Sequence, residues 1–175
     1  MLAYHFTNNK LRDGRPIPKV GEKLVHRGEL IPCKQGLHAS KHPFDALTYA
    51  PGNMLHLVKL GGLIIEHNKD KVVASERTII KTIDAEKLLR KFACDQALSV
   101  KHLWDMPKAV ETYLTTQDPE LRDAARNATR NATWDATRAA TRDAAWAAAR
   151  YAARDAARED AKVEFKHLVE KEMEL

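Results

Sequence analysis

Six histidines, His5, His26, His38, His42, His56 and His67, crowd the first part of the chain, dense enough to raise the question of a metal. No pair among them has the spacing of a zinc signature, so no metal is expected. Cys33 lies five residues before His38, close enough for a thiol and a base to meet, but the sequence offers no third group to orient the imidazole. Most of these histidines are expected as strand or surface residues. A second chemistry lies in the tail, where Arg126, Arg130, Trp134, Arg138, Arg142, Trp146, Arg150 and Arg154 recur every four residues. Cations interleaved with aromatics can hold phosphates and stack on bases, which makes nucleic-acid binding along such a ridge one reading.

That ridge needs a helix to carry it. Alanine recurs at every fourth position from Ala124 to Ala156, each followed by Ala or Thr, and neither Gly nor Pro occurs after Pro119. Gln117-Asp118-Pro119-Glu120 is a helix start, with Asp118 as the cap and Pro119 in the first turn. One Ala-rich helix is therefore expected over 118–175, roughly 80 Å long if straight. Four residues advance an α-helix by about 400°, so each row slips ~40° per repeat and no heptad seam forms. The two rows of small residues instead make a groove through which another helix could pack closely. Three uses stay open: a spacer or self-association arm giving a homo-oligomer, packing against the protein's own first domain, or the nucleic-acid ridge.

The remaining residues, 1–117, are expected to form an α+β domain: a small antiparallel sheet with covering helices. Leu2–Phe6, Lys23–His26 and Gly36–Ser40 read as strands. Pro43 sits where a first helical turn favours it, with Phe44, Leu47 and Tyr49 facing inward. Met54–Leu60, Leu63–His67 and Val72–Lys81 are β-rich runs separated by Gly61-Gly62 and Asn68-Lys69-Asp70, which predicts a three-stranded meander. Asp84 can cap a helix with Leu88, Leu89, Phe92 and Ala93 at helical spacing, and a further helical piece is expected around Leu103–Leu114.

Charge sharpens the division. The chain carries a net +5, yet residues 118–175 hold eight Arg and three Lys against twelve acids, so the excess sits on the first domain. An anionic small molecule, a nucleic acid or an acidic protein could answer it. Two cysteines are too few for a disulfide framework, the opening Met-Leu-Ala-Tyr-His lacks the blocks of a signal peptide, and no run approaches the ~20 apolar residues of a membrane span. A reducing cytoplasm and no membrane partner are expected.

Two resemblances add to this reading. Tyr4-His5-Phe6-Thr7, Gly36-Leu37-His38-Ala39-Ser40 with Ala46-Leu47-Thr48-Tyr49, and Ser75-Glu76-Arg77-Thr78 resemble the layout of ADP-ribosyltransferases. The resemblance implies NAD as cofactor, His5 holding a ribose, Tyr49 stacking on nicotinamide and Glu76 polarising a ribose hydroxyl. More broadly, Gly36–Ala39, Pro43–Tyr49, Val58–Gly62 and Asp70–Ser75 resemble, across residues 1–95, a family of small domains of unknown function encoded by bacteriophages and prophages. It implies expression in a bacterial host's cytoplasm.

The leading expectation is a non-catalytic phage accessory protein that counteracts host defence by binding a host protein or an anionic nucleotide-type ligand. No cofactor is required. His5, Thr7, His38, Ser40 and Tyr49 are the candidate ligand contacts, and the Arg and Trp helix mediates self-association. The rivals are the NAD-dependent enzyme and the nucleic-acid binder.

Overall fold

In a computed structural model, the structure describes residues 1–99, 101–103, 105–130 and 144–175. The elements begin with β1 (Leu2–Thr7), β2 (Lys23–Val25), β3 (Leu37–Ala39), α1 (Pro43–Leu47), β4 (Met54–His67) and β5 (Lys71–Asp84). There follow α2 (Glu86–Ser99), α3 (Lys108–Thr116), α4 (122–130) and α5 (Ala144–Glu172). The chain divides into two compact units, residues 1–88 with 163–175, and residues 89–162.

The first unit is a mixed α and β fold on an antiparallel sheet of order β1-β4-β5-β2, with β3 also on β5. Tyr4 and Ser40 exchange both backbone hydrogen bonds, at 2.7 and 2.9 Å, so the ladder runs β1–β4–β5–β3 and back to β1. Inside this ring of strands Ala3, Ala39, Val58, Leu60, Val72, Ala74 and Ile79 form the core, small side chains suited to a tight interior.

The expected meander is corrected to a hairpin. Gly61-Gly62 is a bulge within one long strand, because Gly62 adopts a φ of +66° and the following amide, Leu63 N–H, donates to Ser75 Oγ at 2.9 Å. A Cβ on Gly62 would come within 2.1 Å of that hydroxyl, so only glycine lets the backbones approach and bend the hairpin there. Tyr49 also departs from expectation. It follows the end of α1 and is 47% exposed, while Pro43, Asp45 and Ala46 fill the interior side.

The other face of the sheet carries Tyr4, Phe6, Leu55 and Leu57, all buried. It is covered by the end of α5, where Phe165, Val169 and Met173 have no exposed surface and lie four residues apart along one stripe. Phe165 meets Phe44 edge to face at 6.1 Å, and Lys81, opposite Leu57 in register, donates Nζ to the Met173 carbonyl. Each such side chain contributes about 1.5–3 kcal/mol of burial, enough to make this segment part of the core.

The second unit is helical. α2 starts within the first unit, where Asp84 Oδ1 accepts the Glu86 amide at 3.0 Å, as its position predicts, and its buried side chains, Phe92 and Cys94, belong to the second. Pro107 precedes α3, Gln117 ends it in a left-handed conformation (φ 56°), and Asp118 Oδ1 accepts the Glu120 amide at 3.0 Å. Pro119–Leu121 is one tight turn leading into α4. Asp118→Ala is expected to lower stability by about 1 kcal/mol, the usual value of such a cap, read as a shift in urea midpoint. A shift no greater than that of an exposed control such as Arg122→Ala would show the cap idle. The expectation of one unbroken helix from Asp118 runs through residues 131–143, which lie outside the described residues.

Candidate functional site

A cleft of about 1100 Å³ opens in the first unit. It is bounded by the end of β1, the loop 8–15, the loop before β3, Tyr49 and Pro51 beyond α1, and Lys71 and Arg77 on β5. Its lining includes six cations, Lys10, Arg12, Arg15, Lys34, Lys71 and Arg77, against one carboxylate, Asp13. Asp13 is already committed: it accepts from Arg15 Nε at 2.9 Å and Nη2 at 2.7 Å, and that fork holds its carboxyl below the usual range. The cleft therefore presents uncompensated positive charge.

Three histidines meet at Arg77. His56 is fully buried between two hydroxyls, with Nε2 at 2.8 Å from Thr7 Oγ1 and Nδ1 at 2.8 Å from Thr82 Oγ1. Burial first, and the Arg77 charge second, push its pKa down to about 4. His5 stacks beside it at a ring separation of 6.4 Å and is held well below its ordinary value by burial and then by Arg77. His38 donates Nδ1–H to the Gly36 carbonyl at 3.1 Å and accepts the Cys33 amide at Nε2 at 2.9 Å, which fixes one neutral tautomer. Its pKa is lowered, chiefly by burial.

His38 is thus a clamp on the loop between β2 and β3. Cys33 sits there with a φ of 66°, held by that imidazole, and Gly36 is irreplaceable because a Cβ would meet Val73 Cγ2 at 2.4 Å. With both its nitrogens engaged, His38 is not a base for the Cys33 thiol. Its thiol instead lies 3.4 Å from Lys71 Nζ. The same ammonium stands 4.0 Å from the centre of the Tyr49 ring, while the Tyr49 hydroxyl donates to the Asp70 carboxylate and its pKa is raised by that bond. Lysine and carboxylate together hold an exposed aromatic ring at the rim.

His5, Thr7, His38, Ser40 and Tyr49 all line this one cleft. Their tasks differ. Thr7 and His38 are engaged with the protein itself, Ser40 is buried in the strand closure, His5 lines the cleft beside His56, and Tyr49 stands exposed at the opening. Glu76 does not line the cleft. Strand alternation that turns Arg77 inward turns Glu76 outward, where it pairs with Lys23 Nζ at 3.2 Å and faces Gly61. On the proposed ridge, Arg126 and Arg130 are exposed on α4. Trp134, Arg138 and Arg142 lie outside the described residues, as do the side chains of Trp146, Arg150 and Arg154.

Arg77 is the site residue that sequence reasoning passes over. The available signal was an arginine in mid-strand, between the apolar runs Val72–Ala74 and Ile79–Ile80 of β5, where a buried charge is costly unless something answers it. Among the described residues no three potential ligands converge on a metal position, and no helix is long and apolar enough to cross a membrane. A family model described as a domain of unknown function, DUF7666, matches residues 1–91, the strands and the start of α2. No curated protein and no solved structure matches the chain.

Proposed function

The chain belongs to the DUF7666 family, a domain of unknown function, and on that premise we propose that its cleft binds an anionic, nucleotide-type ligand without transforming it. The observation that carries this reading is the charge balance of the cleft, whose lining holds six cations against one carboxylate already taken by Arg15. Tyr49 supplies a flat ring beside those charges, the combination a base and its phosphates require. Isothermal titration of a nucleotide panel tests it. One nucleotide is expected to bind with an affinity that weakens about tenfold between low and moderate salt. Tyr49→Ala is expected to weaken that nucleotide about tenfold while sparing inorganic pyrophosphate, which has no base to stack. A panel with no binder at any salt would end the proposal.

The wider setting in this proposal is a bacteriophage accessory protein that opposes host defence by holding such a ligand. It rests on the block resemblance of residues 1–95 alone. Self-association in this scheme falls to the repeat upstream of residue 163, because the end of α5 is occupied by the first unit's sheet.

One observation favours the enzyme reading, namely that His5 and Tyr49 line the same cleft. Against it stands Glu76, on the outward side of β5. Consumption of NAD by the purified protein, lost in Glu76→Gln, would establish the enzyme; an absence of turnover removes it.

A further inference from the structure

Among the described residues no carboxylate answers the charge of Arg77. The residue is only 6% exposed, and among the described residues its one hydrogen bond is from Nη1 to the His38 carbonyl, at 2.7 Å. None of the described carboxylates pairs with it, and burial alone lowers its pKa to about 10. Buried guanidinium groups are ordinarily matched by a carboxylate, because taking the charge out of water costs several kcal/mol before any partner is found. The fork has five donors, and the described residues take one. No fully buried side-chain nitrogen or oxygen among the described residues lacks a partner, so the remaining donors keep an opening, and the opening is the cleft that Arg77 lines.

The surroundings fit an oxyanion. The His5 imidazole makes no hydrogen bond among the described residues, lines the same cleft and is held toward its neutral form, so it can donate one N–H to an oxygen without adding a second buried charge. Lys10, Arg12 and Lys34 stand on the same cleft without carboxylate partners among the described residues, which favours a group bearing more than one negative charge over a single carboxylate.

We infer that Arg77 is an oxyanion subsite in this cleft, taking a phosphoryl group of the ligand on its free donors with His5 as a second contact. This rests on the proposed cleft function and specifies which group enters first and where. Free inorganic phosphates and the phosphates of a nucleotide share the required chemistry, so both serve as probes. It also assigns Arg77 an unusual balance: a residue that costs the empty protein stability and repays it when the ligand arrives.

The test uses the full chain and inorganic pyrophosphate, with ADP in parallel. Pyrophosphate is expected to raise the melting temperature of the wild type, and Arg77→Met to bind it about a hundredfold more weakly, as loss of a buried charge-assisted fork does. Without ligand, Arg77→Met is expected to melt at or above the wild-type temperature, since an unanswered charge has been removed. A purely structural arginine predicts a lower melting temperature with pyrophosphate affinity unchanged, and that result overturns the inference. Should the variant not fold, the wild type still decides by NMR. Arg77 holds the His56 imidazole toward its neutral form, so pyrophosphate docked on the guanidinium must shift the His56 titration upward, and an unmoved titration at saturation rejects the subsite. If ADP binds while Arg77→Met leaves both affinities intact, this subsite falls and the cleft reading stands. If neither probe nor any nucleotide binds, both fall.

Discussion

Phe165→Ala is expected to destabilise the first unit by about 3–5 kcal/mol, the range for removing a fully buried aromatic ring and leaving its cavity. The ring has no exposed surface, packs edge-on against Phe44 and sits in line with Val169 and Met173. Its sequence neighbours offer no substitute, because Val163, two residues earlier on the same helix, is 71% exposed. Val163→Ala is therefore the control, expected to change stability by less than about 0.5 kcal/mol. Urea denaturation followed by circular dichroism separates the two. Equal, small effects from both substitutions would mean that the segment does not contribute to the core, and the account of the covered sheet face would have to be withdrawn.

Acid is expected to cost the fold on the order of 2–3 kcal/mol between pH 6.5 and pH 4 through His56 alone. In the unfolded chain this imidazole titrates near 6.5, whereas in the folded protein burial and Arg77 hold it at about 4. A base with a depressed folded pKa takes up its proton more readily when unfolded. Stability is therefore complete above pH 6.5, declines as pH falls through the window, and levels off below about 4. His5 and His38, also lowered, act in the same direction. His56→Gln keeps hydrogen-bonding atoms for Thr7 and Thr82 but cannot titrate, so its urea midpoint is expected to change less over the window than that of the wild type. A variant with the full wild-type slope would assign the acid sensitivity elsewhere.

Short-range signals in the chain are those that local physics writes directly. Apolar and aromatic residues mark β1, Val, Ile and Thr mark the halves of the long hairpin, and Asp84 and Asp118 sit where caps belong and make the bonds of caps. Gly61-Gly62 shows the limit of such reading, because a turn and a bulge ask for the same residue, and only the Ser75 hydroxyl across the ladder distinguishes them. The stripe Phe165, Val169, Met173 continues the row of Ala153, Ala157 and Ala161 at the same four-residue spacing, so period alone does not separate the segment that packs on the sheet from the repeat before it. The candidate site follows the same pattern. Segments near His5, Ser40 and Tyr49 could be marked from short blocks, whereas the engagement of His38 with two backbone groups and the isolation of Arg77 depend on what lies across the sheet. Which of two neighbouring residues, Glu76 or Arg77, enters the cleft turns on the parity of one strand, and a bulge on either side can reverse it.

Since residues 163–175 complete the sheet's second face, the ribosome sets a waiting time. Residues 89–162 must be synthesised in between, a delay of roughly 4–15 s at ~5–20 residues per second, during which Tyr4, Phe6, Leu55 and Leu57 lack their cover on the nascent chain. Changes in the length of the alanine repeat would lengthen or shorten that exposure, and with it the window for chaperone and protease access.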